Sequence, residues 1–186
     1  MHLHSVNLCL GEARAAAGLG ALIFENSPVL DIEEGDLSTV VTAKGKVRAN
    51  SVLIAGNAYH KLARPQLRGM LFPASLGNCA TAILPDEIAA QINPQDLAVY
   101  DCRFVLDYYR LTADKRLMFG GGTNYSGRDP KNVEAELRPA IERTFPQLKG
   151  VDIEFAWAGM AGIVINRIPQ LGKVSPNVFY CQGYSG

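Results

Sequence analysis

The sequence predicts an α+β fold, in which helices flank a mixed or antiparallel β-sheet. Apolar residues repeat at helical spacing in two segments, near residues 5–17 and 130–145, while short apolar runs separated by turn residues fill most of the remainder. Of the 186 residues, 48% are hydrophobic and 19% are charged, which is typical of a chain that folds around an apolar core. This composition excludes disordered, collagen-like and coiled-coil chains.

The balance of charged residues excludes some kinds of binding partner. Eighteen basic residues balance eighteen acidic ones, and no run of Lys or Arg occurs, so we predict neither a nucleic-acid partner nor binding to a membrane surface. We find no apolar stretch long enough for a membrane span and no signal-peptide pattern at the N-terminus, and we expect a cytoplasmic protein. The cysteines are far apart and form no CxxC pair, which predicts four buried thiols and no metal site: Cys9, Cys79, Cys102 and Cys181.

The first 56 residues predict a helix, a strand, a small meander and a buried strand. Ser5 is a suitable cap for a helix that continues to about Ala17, because Val6 and Leu10 lie on one helical face with Ala17. Strands are predicted at residues 21–25, 29–33, 39–42, 46–49 and 51–55.

The pair Gly18 and Gly20 is similar to the start of the dinucleotide fingerprint GxGxxG. That fingerprint needs a strand before it and a helix after it, so that the phosphate meets a helix N-terminus. Here the helix comes first, and Ile23 stands where the third glycine belongs. The two glycines therefore predict the end of the first helix and not a phosphate loop.

The middle of the chain predicts successive strands and one long helix. The strands lie at residues 98–102, 104–111 and 116–121. Asp129 and Pro130 mark the start of a helix that continues to Phe145, with Pro139 inside it as a source of a kink. A short helix at residues 86–91 and further strands at 151–158 and 177–181 complete the prediction.

Tyr108 and Arg110 stand out on the predicted strand 104–111. Alternation places them on one face of the strand and places Asp107 and Tyr109 on the other. An aromatic ring beside a guanidinium group suits a pocket that holds a carboxylate. A cross-strand pair with a purely structural role is the alternative.

Two further features have both a structural and a functional interpretation. Trp157 is the only tryptophan, and it is either a buried core residue or part of the wall of a site. The three glycines at 120–122 allow close approach either to a ligand or to a neighbouring strand at a hairpin bulge.

Several segments match a known family in the family's own order. Residues 2–13 match a segment HxHPxNLxxGEA, with Ser5 in place of the proline, and residues 52–59 match a strand of the flavin domain. Long identical runs follow at 106–114, 144–151 and 182–186. From end to end, the chain resembles the D-amino-acid-oxidase-type FAD-dependent oxidoreductases.

The resemblance implies a domain organisation. Residues 1–64 would form the inner part of an FAD-binding domain, residues 65–170 a substrate-binding β-sheet domain, and residues 171–186 a returning FAD-domain strand with its glycine loop. In the family a GxGxxG loop precedes this region and a flavin-contacting helix follows it. We therefore expect a central fragment of a longer enzyme, with an incomplete, Rossmann-like FAD-binding portion.

The resemblance also implies FAD as the cofactor. Val29 matches the position that meets the adenine end, Ala55 and Gly56 match a turn against the nucleotide, and Arg167 lies in a segment near the flavin. In that segment Val164 and Asn166 replace the usual Thr and Asp. The remaining implied contacts lie in the loop that approaches the flavin ring: Gly183, Tyr184, Ser185 and Gly186.

The implied chemistry is oxidation of a small-molecule amine by hydride transfer to flavin. Tyr108, Arg110 and Trp157 are the expected substrate wall, and no catalytic base is identified. Two alternatives remain open: a non-catalytic β-rich binding module, and a relative that oxidises sarcosine, glycine or a D-amino acid. We expect the isolated chain to be inactive and to self-associate through exposed core surface.

Overall fold

The computed structural model describes residues 2–184, which form three α-helices and eleven strands, and it confirms the predicted α+β class. Three short 3-10 helices lie at Asn57–Tyr59, Pro65–Leu67 and Pro146–Leu148. In chain order the longer elements are α1 (Ser5–Gly18), β1 (Val29–Glu33), β2 (Ser38–Thr42), β3 (Lys46–Ala49), β4 (Val52–Ile54), β5 (Phe72–Thr81), α2 (Asp86–Ile92), β6 (Val99–Tyr100), β7 (Tyr108–Leu111), β8 (Leu117–Asn124), α3 (Val133–Thr144), β9 (Ile153–Ile163), β10 (Gln170–Ser175) and β11 (Val178–Gln182).

The chain divides into two compact units. The first unit contains the N-terminal segment through Gly56, together with His60–Arg68 and Leu171–Cys181. The second unit contains Asn57–Tyr59, Gly69–Gln170 and the described residues that follow Cys181.

Two three-stranded sheets build the first unit. One is the predicted meander, in which β1, β2 and β3 pair antiparallel in that order. The other has the strand order β10-β11-β4, with β4 and β11 parallel and Ile54 opposite Tyr180. Buried apolar side chains form the core of this unit: Ile32, Ile54, Leu67, Val174 and Val178.

Helix α1 begins at Ser5, but its N-cap is His4 and not Ser5 as predicted. The His4 Nδ1 atom accepts the backbone N–H of Asn7 at 3.3 Å, so an imidazole replaces the expected hydroxyl. The predicted apolar face of the helix lies at the surface, with Val6 59% and Leu10 47% exposed. Gly20 follows the helix with φ +97°, which supports the prediction of a helix end.

The strand predicted at residues 21–25 does not form. Leu22 is 81% and Phe24 66% exposed, and none of the described strands lies beside this segment. Apolar composition alone does not make a strand, because a strand needs a neighbour that supplies its ladder hydrogen bonds.

One five-stranded antiparallel sheet dominates the second unit. Its strand order is β6-β7-β8-β5-β9, and α3 packs on one face. The core lies between this face and the helix, and it includes Cys79, Leu117, Phe119, Leu137 and Ile141. We call the opposite face of the sheet the site face.

Strands β6 and β7 are shorter than predicted. Residues 101–107 form a loop, in which the Arg103 guanidinium bridges the carboxylates of Asp101 and Asp107. These carboxylates keep the pKa of Arg103 above its ordinary value. Asp101 Oδ1 also accepts the backbone N–H groups of Arg103 at 3.1 Å and Asp107 at 3.3 Å, which gives the loop an alternative to continued strand pairing.

Helix α3 begins at Val133, three residues later than predicted. Its N-cap is Asn132, whose Oδ1 accepts the Ala135 N–H at 2.9 Å. The predicted cap, Asp129, instead accepts a hydrogen bond from the Ser75 hydroxyl at 2.7 Å. Pro139 lies inside the helix, as the sequence indicates.

Two strands were not predicted, β5 and β10. Strand β5 is central, since it pairs with both β8 and β9, yet its sequence contains Pro73 and Gly77, which are uncommon in strands. Pairing on both sides outweighs this weak local preference.

The cysteine prediction is partly wrong. Cys79 is buried, whereas Cys9 and Cys102 are exposed, because α1 and the 101–107 loop lie at the surface. Within residues 2–184, no cluster of side chains could hold a metal ion. In the same residues, no helix combines the length and apolar character that crossing a bilayer requires.

Candidate functional site

One row of residues crosses all five strands of the sheet in the second unit. Tyr100 is opposite Tyr108, Tyr108 is opposite Gly120, Gly120 is opposite Asn78, and Asn78 is opposite Trp157. Directly opposed residues of antiparallel strands point to the same side of the sheet. These five positions, which we call the aromatic row, therefore share the site face.

The Tyr108 ring lies across Gly120 to reach the next strand. Its phenol donates a hydrogen bond to Asn78 Oδ1 at 3.0 Å. A Cβ atom at position 120 would lie 2.2 Å from Tyr108 Cζ, so only glycine leaves room for the ring. This contact supports the strand-approach interpretation of the glycines.

Burial raises the pKa of the Tyr108 phenol above its ordinary value, although the Asn78 hydrogen bond acts in the opposite direction. The phenol is therefore protonated at neutral pH. In this state it is a hydrogen-bond donor and cannot serve as a base.

Trp157 is not a core residue. Its side chain is 44% exposed on β9, and Phe155, two residues earlier, is 50% exposed. At the other end of the row Tyr100 is 74% exposed. Exposed aromatic rings gathered on one sheet face are typical of a surface that binds something.

Arg110 shares the site face, while Tyr109 points to the core. Tyr109 contacts Phe145 edge-on at 4.9 Å between ring centroids and stacks against Phe119 at 6.1 Å. Arg110 lies opposite Met118. The strand alternation predicted from the sequence is confirmed, and the three predicted substrate-wall residues lie on one face.

Three of the predicted cofactor residues belong to the first unit. Val29 begins β1 and is 38% exposed, and Ala55 and Gly56 are exposed directly after β4. Since β4 is parallel to β11, these small residues follow the carboxyl end of a parallel strand. Nucleotides commonly bind beside such strand ends, and small side chains allow the backbone to approach them, so Ala55 and Gly56 fit a nucleotide group. Val29 begins an antiparallel strand, and its contact with the cofactor stays a prediction.

Arg167 lies in the loop between β9 and β10 of the second unit. It has φ +56°, and its N–H donates to the Val164 carbonyl at 3.0 Å. Its guanidinium lies 4.3 Å from the centroid of the Phe104 ring, a cation–π contact. Its role beside the flavin stays a prediction.

The predicted glycine loop begins at Gly183, which is buried. Gly183 has φ +75°, and its N–H donates to Asn57 Oδ1 at 2.9 Å, whereas Tyr184 is exposed. Ser185 and Gly186 lie outside the described residues. Their flavin contacts, like those of Gly183 and Tyr184, stay predictions.

Two polar residues of these sites were not singled out from the sequence, Asn57 and Asn78. Asn57 lies within the family-like segment 52–59, and asparagine adopts the left-handed backbone found there more readily than most residues. Asn78 lies on the strand that was not predicted, so no pattern pointed to it.

Comparison with known proteins identifies the class. The FAD dependent oxidoreductase (DAO) family matches residues 1–186, and the chain belongs to this family. The predicted family resemblance is confirmed, and the family's dependence on FAD supports FAD as the cofactor of the full-length protein.

The most similar relatives narrow the class further. The chain is 42% identical over 186 residues to gamma-glutamylputrescine oxidoreductase of Escherichia coli strain K12, covering 100% of the chain and 44% of that protein. It is 37% identical over 190 residues to "Probable oxidoreductase OrdL" of Haemophilus influenzae, covering 100% of the chain and 43% of that protein. The chain thus spans less than half the length of these relatives.

Solved structures support the fold. Glycine oxidase from Geobacillus kaustophilus superposes with a TM-score of 0.72 at 20% identity, covering 92% of this chain and 46% of that one. L-proline dehydrogenase from P. horikoshii gives a TM-score of 0.73 at 19% identity, covering 94% and 48%. At this level of identity the likeness shows a shared fold.

Proposed function

We propose that the full-length protein oxidises an amine with FAD as the electron acceptor, and that the site face binds the substrate. The aromatic row carries this proposal. Aromatic faces pack well against the methylene chain of an extended amine. A relative that is 42% identical to the chain is named for an amine, gamma-glutamylputrescine.

In this proposal FAD contacts the residues that the family resemblance implies. The proposed contacts are Val29, Ala55, Gly56, Arg167, Gly183, Tyr184, Ser185 and Gly186. When bound, FAD would supply the oxidising power by taking a hydride from the carbon next to the amine nitrogen.

The protein's own residues position the substrate. Tyr108 and Trp157 would contact its alkyl chain, and the Tyr108 phenol oxygen, whose proton is donated to Asn78, would accept a hydrogen bond. Arg110 would face a carboxylate of the substrate. Since Tyr108 is not a base, the amine would enter the reaction in its neutral form.

The length of the aromatic row favours an extended substrate. Neighbouring strands lie about 4.8 Å apart, so a row across five strands spans roughly 19 Å. Gamma-glutamylputrescine has a carboxylate at one end and an amine at the other, separated by a long flexible chain. Glycine, sarcosine and D-amino acids are much shorter and would contact only part of the row.

We also propose domain boundaries, which are those implied by the family resemblance. Residues 1–64 and 171–186 would belong to the FAD-binding domain, and residues 65–170 to the substrate-binding domain. Each assignment is a proposal that rests on the family resemblance.

The full-length enzyme tests the proposed substrate. We expect amine-dependent peroxide or imine formation with gamma-glutamylputrescine, and a KM at least tenfold higher for Trp157→Ala with a smaller change in kcat, because a binding wall contributes mainly to affinity. Trp157→Phe keeps an aromatic ring and serves as the matched variant. Higher kcat/KM with glycine or sarcosine would favour the alternative substrates, and absence of any FAD would favour a non-catalytic module.

The 186-residue chain alone should be colourless and inactive. Within residues 2–184, no α-helix follows a parallel strand through a glycine-rich turn, the arrangement that binds a dinucleotide diphosphate. The visible absorbance of the purified chain, with and without added FAD, measures this. A flavin band that persists after gel filtration would contradict it.

A further inference from the structure

Asn57 links two distant parts of the second unit. Its Oδ1 accepts the backbone N–H of Gly183 at 2.9 Å, across 126 residues of sequence. Asn57 itself has φ +46°, a left-handed conformation that asparagine adopts more readily than most residues. The bond satisfies a buried N–H that belongs to neither a helix nor a strand ladder.

Two glycines make room for this contact. A Cβ atom at Gly162 would lie 2.3 Å from Asn57 Oδ1, and one at Gly183 would lie 2.5 Å from Val164 Cγ1. Since both distances are far below van der Waals contact, neither position accepts a larger residue without a shift. The carboxamide and the turn at Gly183 are therefore packed from both sides.

The short 3-10 helix Asn57–Tyr59 has a second attachment. The Met160 N–H donates to the Tyr59 hydroxyl at 2.8 Å, so the helix is bound to β9 as well as to Gly183. Two hydrogen bonds, each accepted by a side chain of the helix from a backbone N–H, hold the helix in one orientation. The position of Asn57 Oδ1, and with it the turn, is thereby defined.

We infer that Asn57 is a positioning residue for the turn at Gly183 and Tyr184, and that it sets the conformation in which this turn meets the flavin. The inference rests on the proposed function, in which that turn contacts FAD. Asn57 acts through the backbone of Gly183. Its necessary property is a hydrogen-bond acceptor at Oδ1 on a left-handed backbone.

Two substitutions separate these properties in the full-length holoenzyme. Asn57→Gly keeps the left-handed backbone but removes the acceptor, and Asn57→Asp keeps an acceptor. We expect Asn57→Gly to weaken FAD binding to the apoprotein about tenfold, because a buried N–H loses its partner, and to shift the visible absorption bands of the bound flavin. We expect Asn57→Asp to retain affinity within about threefold.

Asn26 provides a matched control, since it also has a left-handed backbone, with φ +51°, and is exposed. Asn26→Gly should leave FAD affinity and the flavin spectrum unchanged. Wild-type affinity and spectrum in Asn57→Gly, or an equal loss in Asn57→Asp, would overturn the inference.

Hydrogen exchange gives a readout that is independent of FAD. In the apoprotein, Asn57→Gly should speed exchange of the Gly183 N–H by at least tenfold, while Asn26→Gly should not. Unchanged protection would overturn the inference. Failure of the wild-type protein to bind FAD would contradict the proposed function instead, and the exchange measurement would still decide the role of Asn57.

Discussion

At the scale of single residues, the missing side chain at position 120 organises the site face. The Tyr108 ring occupies the space above Gly120 and reaches Asn78 on the far side of β8. Three strands are joined by one ring and one hydrogen bond. The position of the Tyr108 ring in the aromatic row therefore depends on a glycine at position 120.

Gly120→Ala should displace the Tyr108 ring and break its bond to Asn78. The added Cβ would lie 2.2 Å from the ring, and overpacking of this kind costs about 1–3 kcal/mol. Urea unfolding of the chain measures the loss. Gly45→Ala is the control, because a Cβ there meets nothing within 4 Å. Equal stability of the two variants would contradict the packing described for Tyr108.

The buried thiol of Cys79 predicts that the second unit becomes less stable at alkaline pH. Burial raises the pKa of its thiol to about 11, from an ordinary value near 9. Below pH 9 the thiol is neutral in both the folded and the unfolded chain. Above pH 9 the thiol of the unfolded chain loses its proton at a lower pH than the buried thiol of the folded chain does. The free energy of unfolding should therefore decrease as the pH rises from about 9 to 11.

Urea unfolding at several pH values compares Cys79→Ala with Cys9→Ala. Since Cys9 is exposed, Cys9→Ala should keep the wild-type slope, whereas Cys79→Ala should have a shallower one. Identical slopes for both variants would show that the Cys79 thiol does not contribute.

At the scale of elements, helix α3 shows how neighbours redirect a capping residue. Asp129 is a good cap by type, but the Ser75 hydroxyl binds its carboxylate, and the helix begins beside Asn132 instead. The first turn of α3 contains Glu134 and Glu136, whose charges suit the helix N-terminus.

Asn132→Ala should destabilise α3 by about 1 kcal/mol, because the Ala135 N–H loses its acceptor. Lys131→Ala, one residue earlier and exposed, should leave stability within about 0.5 kcal/mol. Urea unfolding followed by circular dichroism distinguishes them. A larger loss in Asp129→Ala accompanied by lower helix content would restore Asp129 as the cap.

At the scale of the whole molecule, the chain exposes apolar surface on α1. No residue of this helix is buried, and Val6 and Leu10 are 59% and 47% exposed. Apolar surface of this kind tends to associate. The chain also covers less than half of its relatives' length.

We predict self-association of the isolated chain through α1. Light scattering after gel filtration should give a mass above 20.1 kDa, decreasing towards this value in the double variant Val6→Glu and Leu10→Glu. The pair Asn7→Glu and Gly11→Glu adds the same charge at the same spacing on a polar face, and should remain associated. A wild-type chain that is monomeric at high concentration would refute the prediction.

Local patterns in the sequence were sufficient for much of the fold. Periodicity located α1 and α3, alternation located the meander, and the motifs identified the family. The alternation of Tyr108 and Tyr109 correctly placed one ring in the core and the other on the site face. These features depend on residues that are close together in the sequence, so local patterns are sufficient to predict them.

The tertiary structure decided what depends on distant partners. Strand β5 forms despite Pro73 because it has β8 on one side and β9 on the other, while residues 21–25 remain irregular because no described strand lies beside them. The contacts of Asn78 with Tyr108 and of Asn57 with Gly183 join residues far apart in sequence. The sequence by itself therefore determined the family, its cofactor and most elements, whereas the aromatic row and the Asn57 contact arise only when long-range pairing brings their members together.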